Sequence, residues 1–137
     1  MTDLLRTVFV CKTAAAVGAT TLSVAQILGA SDRNNRRDHL TSIMLFHAGQ
    51  VLQAVEGQRG DLDRLLTRLR EDGRIQTLKV LATTPIPHRR FAAPAALCGL
   101  SDASVARRLD GRALDDLTAA EAEDMLASCI VAPAEAA

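Results

Sequence analysis

The chain has 137 residues, enough for one domain, and 48% of them are apolar, which supports a buried core. Lys plus Arg and Asp plus Glu number 16 each, so no overall field draws the protein to nucleic acid or to an anionic membrane. There is no Trp and no Tyr, and the three Cys are scattered without metal or redox-pair spacing, a usage that suits a reducing cytoplasm.

In chain order, residues 6–13 alternate Val8 and Val10 with Phe9 and Cys11 and read as a first strand. This apolar run ends at Lys12 and is too short for a signal-peptide core. Thr20 or Thr21 can cap a helix reaching to about residue 34, with Leu22, Ala25, Ile27 and Leu28 as its apolar stripe. Arg33, Arg36, Arg37 and His39 then cluster where cations favour a helix C-terminus, and read as a solvated helix end. Residues 39–46 and 50–55 form two strands joined by a hairpin turn at His47-Ala48-Gly49-Gln50. In the second of them Val51, Gln53 and Val55 share a face, which places one amide in an apolar row. A buried amide costs free energy unless its carbonyl and amino groups find partners, so Gln53 either anchors a structural network or meets a ligand.

Residues 57–60 read as a loop, and a second helix starts at Asp61 with Leu62, Leu65, Leu66 and Leu69 at helical spacing and Gly73 as its stop. Residues 77–83 form a strand, Pro85 and Pro87 stiffen the connection, and residues 90–97 form a last strand that Pro94 confines to an edge or breaks. Residues 101–108 and 117–130 read as two further helices, with a capping box at Thr118-Ala119-Ala120-Glu121, and residues 131–137 as a disordered tail. No stretch approaches the roughly 20 apolar residues of a membrane span.

This order gives an α+β, ferredoxin-like βαββαββ sandwich over residues 1–100, with both helices on one face of the sheet and a C-terminal helical extension over residues 101–130. The opposite face carries Val8, Val10, Leu52 and Ala54 and needs cover, either from the extension or from a second copy of the chain.

Asn34-Asn35, Thr41-Ser42, Gln53, Val55-Glu56-Gly57 and the Arg68 to Asp72 helix end stand in an order and spacing that resemble the BLUF family, blue-light sensors that use flavin adenine dinucleotide (FAD). The resemblance spans residues 5–97. It implies a flavin ring between the two helices, with Asn35 as an amide ligand, Asn34 beside it and Gln53 as the switching amide. Arg68 and Asp72 would bracket the ring, and Ile27 would be an apolar contact.

The departures fall on the photochemistry. Phe9 stands for the family tyrosine, Cys11 for the serine after it, and Val51 for a phenylalanine. Ile75 replaces a histidine, and Pro94 and Ala96 replace a tryptophan and a methionine. The expectation is a cytoplasmic sensory or regulatory domain, not an enzyme, with FAD binding weak or absent, no tyrosine photocycle and no metal. Its partner is a protein, or a second copy through the sheet face and C-terminal helices. The alternative is a flavin-free interaction module in which Asn35 and Gln53 are structural. A remoter one is an acylphosphatase-like hydrolase, which shares the topology. Its phosphate loop, however, needs a glycine turn and an arginine where Lys12-Thr13-Ala14-Ala15-Ala16 stands, and His39, His47 and His88 form no catalytic arrangement.

Overall fold

A computed structural model of the chain describes residues 3–13 and 21–136, without the side chains of residues 21–26 and 130–136. Its elements are β1 (Leu4–Thr13), α1 (Thr21–Arg37), β2 (Thr41–His47), β3 (Gln50–Gln58), α2 (Arg59–Glu71), β4 (Ile75–Pro85), β5 (Ala96–Leu97), α3 (Asp102–Leu109) and α4 (Ala119–Ala136), with a 3-10 turn at Leu114–Asp116. The expected capping side chains Thr20 and Thr21, and Leu22 and Ala25 of the stripe, lie outside the description.

The sheet order is β4-β1-β3-β2-β5. β1 is antiparallel to β3 and β4, and β2 is antiparallel to β3, so β1 and β2 run the same way with β3 between them. Two interleaved split βαβ units result, which is the expected ferredoxin-like topology. β1 and β3 are central, and an apolar core lies on each face of the sheet. That is why Val8, Phe9, Val10 and Cys11 are all buried although neighbours point to opposite faces. The β2–β3 hairpin turns on Ala48 and Gly49, with φ of 49° and 77°, as a two-residue connection matched to strand twist requires.

One core joins Leu5, Phe9, Cys11, Leu40 and Val55 to Leu62 and Leu65 of α2. The other joins Val8, Val10, Ile43, Leu45, Leu52 and Ala54 to Val105 and Leu109 of α3, Leu114 of the 3-10 turn, and Ala122, Met125, Leu126 and Cys129 of α4. The chain's own helices therefore cover this sheet face, which is not free to pair with a second copy. Ser101 caps α3 by accepting the Ser104 N–H at 3.1 Å, and the Thr118–Glu121 box closes on α4 at 3.0 and 3.2 Å.

The elements differ from the sequence reading chiefly at the following places. Residues 57–60 are not a loop: β3 runs through Gln58 and α2 begins at Arg59. Gly57 is needed inside the strand, because a Cβ there would collide with the buried Leu40 side chain. α2 ends at Asp72 in an extended conformation, not on a left-handed Gly73. The last strand shrinks to Ala96–Leu97, since the Arg90 and Phe91 N–H groups are taken by the Glu56 carboxylate instead of a ladder. The α4 backbone extends to Ala136, past Val131 where the tail was placed.

The cysteines also depart from the reading. Cys98 and Cys129 are joined as a disulfide, with Cα atoms 5.0 Å apart, and Cys11 alone is free. Their separation of 31 residues carries no motif, so only the packing of α4 beside β5 brings them together.

Candidate functional site

A cavity of about 730 Å³ opens between α1, α2 and the sheet face that carries Cys11, Val51 and Gln53. Each element has a local reason to contribute. The two-residue turn fixes the β3 register, and a one-residue slip would carry Gln53 to the other core. In that register Gln53 stands across from Phe9 on β1 and from Met44 on β2. The spacing Leu65, Arg68, Leu69 and Asp72 sets one α2 face toward the cavity, and Ile27, Ala30, Ser31, Asn34 and Asn35 do the same on α1. Ile27, Asn34, Asn35, Gln53, Arg68 and Asp72, singled out from sequence, are thus brought together around one space.

Their hydrogen bonds differ in a way the sequence does not reveal. Asn35 is buried, and its Nδ2 donates to Ser42 Oγ at 3.1 Å and to the Pro94 carbonyl at 2.8 Å. Both amide protons are therefore taken, and only Oδ1 is left for a ligand. Ser42 Oγ donates to the same carbonyl at 2.8 Å. Asp72 is committed to Arg74, receiving its Nη2 at 2.7 Å, its Nε at 3.1 Å and its backbone N–H at 2.9 Å. The Arg74 side chain holds the Asp72 carboxyl below the usual range.

Gln53 and Arg68 are the exceptions. The Gln53 amide makes no hydrogen bond to the described residues. Arg68 Nη1 donates to Asp38 Oδ2 at 2.8 Å, while its Nη2 is buried without a partner among the described residues. Hydrogen bonds from Arg37 and then Arg68 hold Asp38 down to about 2. An orphaned buried donor costs about 1–3 kcal/mol, and more on a charged group, so a nearby acceptor would relieve it. Apolar walls from Ile27, Val51, Leu65, Leu69 and Ile75 with a few unpartnered polar groups are the make-up of a small-molecule site. A donor from Arg68 beside an amide that can both give and accept suits the carbonyl-bearing edge of a heterocycle such as flavin, so the residues fit that group.

The positions that depart from the family pattern sit elsewhere or are chemically silent. Phe9 is fully buried in the core beneath α2, not in the cavity wall. Cys11 does line the cavity, but burial and then the Asp72 charge push its thiol up to about 12, so it stays protonated. Pro94 offers only its carbonyl to Asn35 and Ser42. Ala96 packs against the core on the opposite face.

The family model for sensors of blue-light using FAD (BLUF) matches residues 4–95. The chain belongs to the BLUF family. Among solved structures it is similar to BlrB, a BLUF protein in its dark state, at 25% identity and a TM-score of 0.76 over 97% of this chain and 98% of that one. BlsA in its ground state is 15% identical with a TM-score of 0.80 over 93% and 88%, a likeness of fold alone. A bacterial light-regulated adenylyl cyclase is 25% identical with a TM-score of 0.63, over 69% of this chain but only 27% of its own. No curated protein matches the chain. The chain is thus a BLUF-type, blue-light-sensor-like domain of the α+β fold read from its sequence. No helix among the described residues is long and apolar enough to cross a membrane.

Sequence reasoning missed two features, one at this BLUF cavity and one on the opposite face of the sheet. Arg74 and Asp38 are the ion partners that orient Asp72 and Arg68, and the Asp72-x-Arg74 spacing was the available signal for the first. Glu56, read only as a motif letter, is a fully buried carboxylate. It accepts Arg6 Nη2 at 2.7 Å and Nε at 3.0 Å, and the Arg90 and Phe91 N–H groups at 2.9 and 3.0 Å.

Proposed function

We propose that this BLUF domain is a regulatory module whose cavity takes flavin weakly and whose residues cannot run a tyrosine-driven photocycle. The observation that carries the reading is a pair of cavity-lining residues with groups that no described residue engages, the Arg68 Nη2 donor on α2 and the Gln53 amide on β3. Gln53 and Arg68 would meet the polar edge of FAD, with Asn35 Oδ1 as a further acceptor, and Ile27, Leu65, Leu69 and Ile75 would pack on its faces. Bound flavin would supply a chromophore for visible light. Phe9, across the ladder from Gln53, has no hydroxyl to bond that amide and no proton to give it. Val51 gives a smaller wall than a phenylalanine. Losing one large apolar wall side chain removes about 1.5–3 kcal/mol of burial, roughly ten- to hundred-fold in affinity.

On this reading the module has no enzymatic activity of its own, acts in the cytoplasm and signals through a protein partner. Titration with FAD followed by flavin emission tests it. Saturable but weak quenching is expected, weakened further by Arg68→Ala and by Gln53→Leu, with no reversible red shift under blue light. A red shift in the unaltered protein would defeat the photochemical half, and no quenching or thermal shift at high FAD would defeat the binding half. A flavin-free interaction module is the second reading, and the Asn35 Nδ2 bonds to Ser42 and Pro94, both made without a ligand, favour it.

A further inference from the structure

We propose that Cys98 and Cys129 form a thiol–disulfide switch that sets how firmly α4 is held to the sheet. Their Cα separation of 5.0 Å lies inside the range a disulfide can span without backbone movement. Cys98 directly follows β5, and its N–H donates to the Met44 carbonyl of β2 at 2.8 Å. Cys129 lies on the α4 face buried with Met125 and Leu126. The bond thus clamps the C-terminal helix to the edge of the sheet.

Without it, α4 is held by the apolar packing of Ala122, Met125 and Leu126 and by a few polar links, and the sheet edge beside it is short. β5 has two residues. Among the described side chains, the polar links from α4 are Arg6–Glu123 at 3.4 Å, Arg108–Ser128 at 3.0 Å and the two-pronged Arg112–Glu121 pair at 3.0 and 2.9 Å. The clamp also lies close to the cavity's scaffold in sequence, because Pro94, four residues before Cys98, is the acceptor for Asn35 and Ser42. Cys11 cannot compete for pairing, since it belongs to the core on the other face of the sheet.

The oxidant is a small-molecule disulfide such as glutathione disulfide. One thiolate attacks it, forms a mixed disulfide and expels one glutathione thiolate. The second cysteine thiolate then attacks the mixed disulfide and expels the other. Two electrons pass from the cysteine pair to the oxidant, and the two cysteine protons pass to solvent or to the expelled thiolates. Both sulfurs are buried, so exchange proceeds through local opening of α4 and is slow. Closing a loop across 31 residues restricts the unfolded chain and should raise Tm by on the order of 10 °C.

The test equilibrates the full chain in glutathione buffers of graded redox ratio, traps free thiols by alkylation and counts them by mass, with peptide mapping of the crosslink. Three free thiols are expected at the reducing end and one at the oxidising end, with Cys98 linked to Cys129. The oxidised form should melt higher, and its α4 amides should exchange hydrogen more slowly. Cys98→Ala should abolish both differences. Three thiols at every ratio would overturn the proposal, as would one thiol even at the most reducing ratio. Oxidation that leaves α4 exchange unchanged would overturn it too.

Discussion

Replacing Phe9→Tyr restores the hydroxyl that the BLUF pattern places at this position, and the structure sets its cost. Phe9 is fully buried, and Gln53 stands directly across from it with an amide that no described residue engages. A phenol buried without a partner costs about 1–3 kcal/mol, and a hydrogen bond to Gln53 returns about 0.5–1.5 kcal/mol besides removing that penalty. Phe9→Tyr is therefore expected to stay within about 1 kcal/mol of the parent, while in a Gln53→Leu background the same change carries its full cost. Urea unfolding of the four proteins gives the coupling as a double-mutant cycle, expected to be about 1 kcal/mol or more. A coupling below about 0.5 kcal/mol would refute the reasoning, because the new hydroxyl would then have missed Gln53. With FAD added, Phe9→Tyr is also the variant in which blue light should begin to produce a reversible red shift, provided the ring is held at bonding distance from Gln53.

Glu56→Ala should destabilise by about 3–5 kcal/mol in chemical denaturation, because it leaves Arg6 without its principal buried partner and orphans the Arg90 and Phe91 N–H groups. Ala48→Gly should stabilise by roughly 0.5–1 kcal/mol in the same assay, since Ala48 holds φ 49° in the left-handed region and glycine relieves more strain than it adds chain entropy. Cys11 has a folded-state pKa raised from 9.0 to about 12, so its contribution is complete below pH 9 and is lost as pH climbs toward 12; Cys11→Ala should flatten that alkaline fall in Tm. At the acid end, Asp38 and Glu121 are held down from 3.8 and 4.5 to about 2 by Arg37 with Arg68 and by Arg112. Their contribution is present above those upper values and lost toward pH 2, a melting-temperature decline that salt should shrink chiefly through the Arg112–Glu121 pair, which is more open to solvent than Asp38.

The chain's own pattern determined the element order, the face of each strand and the helix stripes. Each of these follows from a short period: Val8 and Val10 against Phe9 and Cys11, and Leu62, Leu65 and Leu69 along one helix face. Leu117, Met125, Leu126 and Cys129 likewise marked an apolar helix face, and it packs against Val8, Val10, Leu52 and Ala54. The spacing of Asn35, Gln53 and Arg68 led to the BLUF family, and these residues share one cavity because split βαβ units put both helices on one face.

Tertiary structure alone decided which polar atoms are free. Asn35 and Gln53 look alike in sequence, yet the Ser42 hydroxyl nearby and the Pro94 carbonyl, remote in the chain, take both Asn35 protons, while no described residue engages the Gln53 amide. Glu56 drew the Arg90 and Phe91 amides away from the strand that residues 90–97 suggested. The Cys98–Cys129 pair had no motif to announce it. Periodicity is a local property and survives in the sequence. Hydrogen-bond partnership and disulfide pairing depend on distances of a few ångströms between residues tens of positions apart, and only the packed fold sets those.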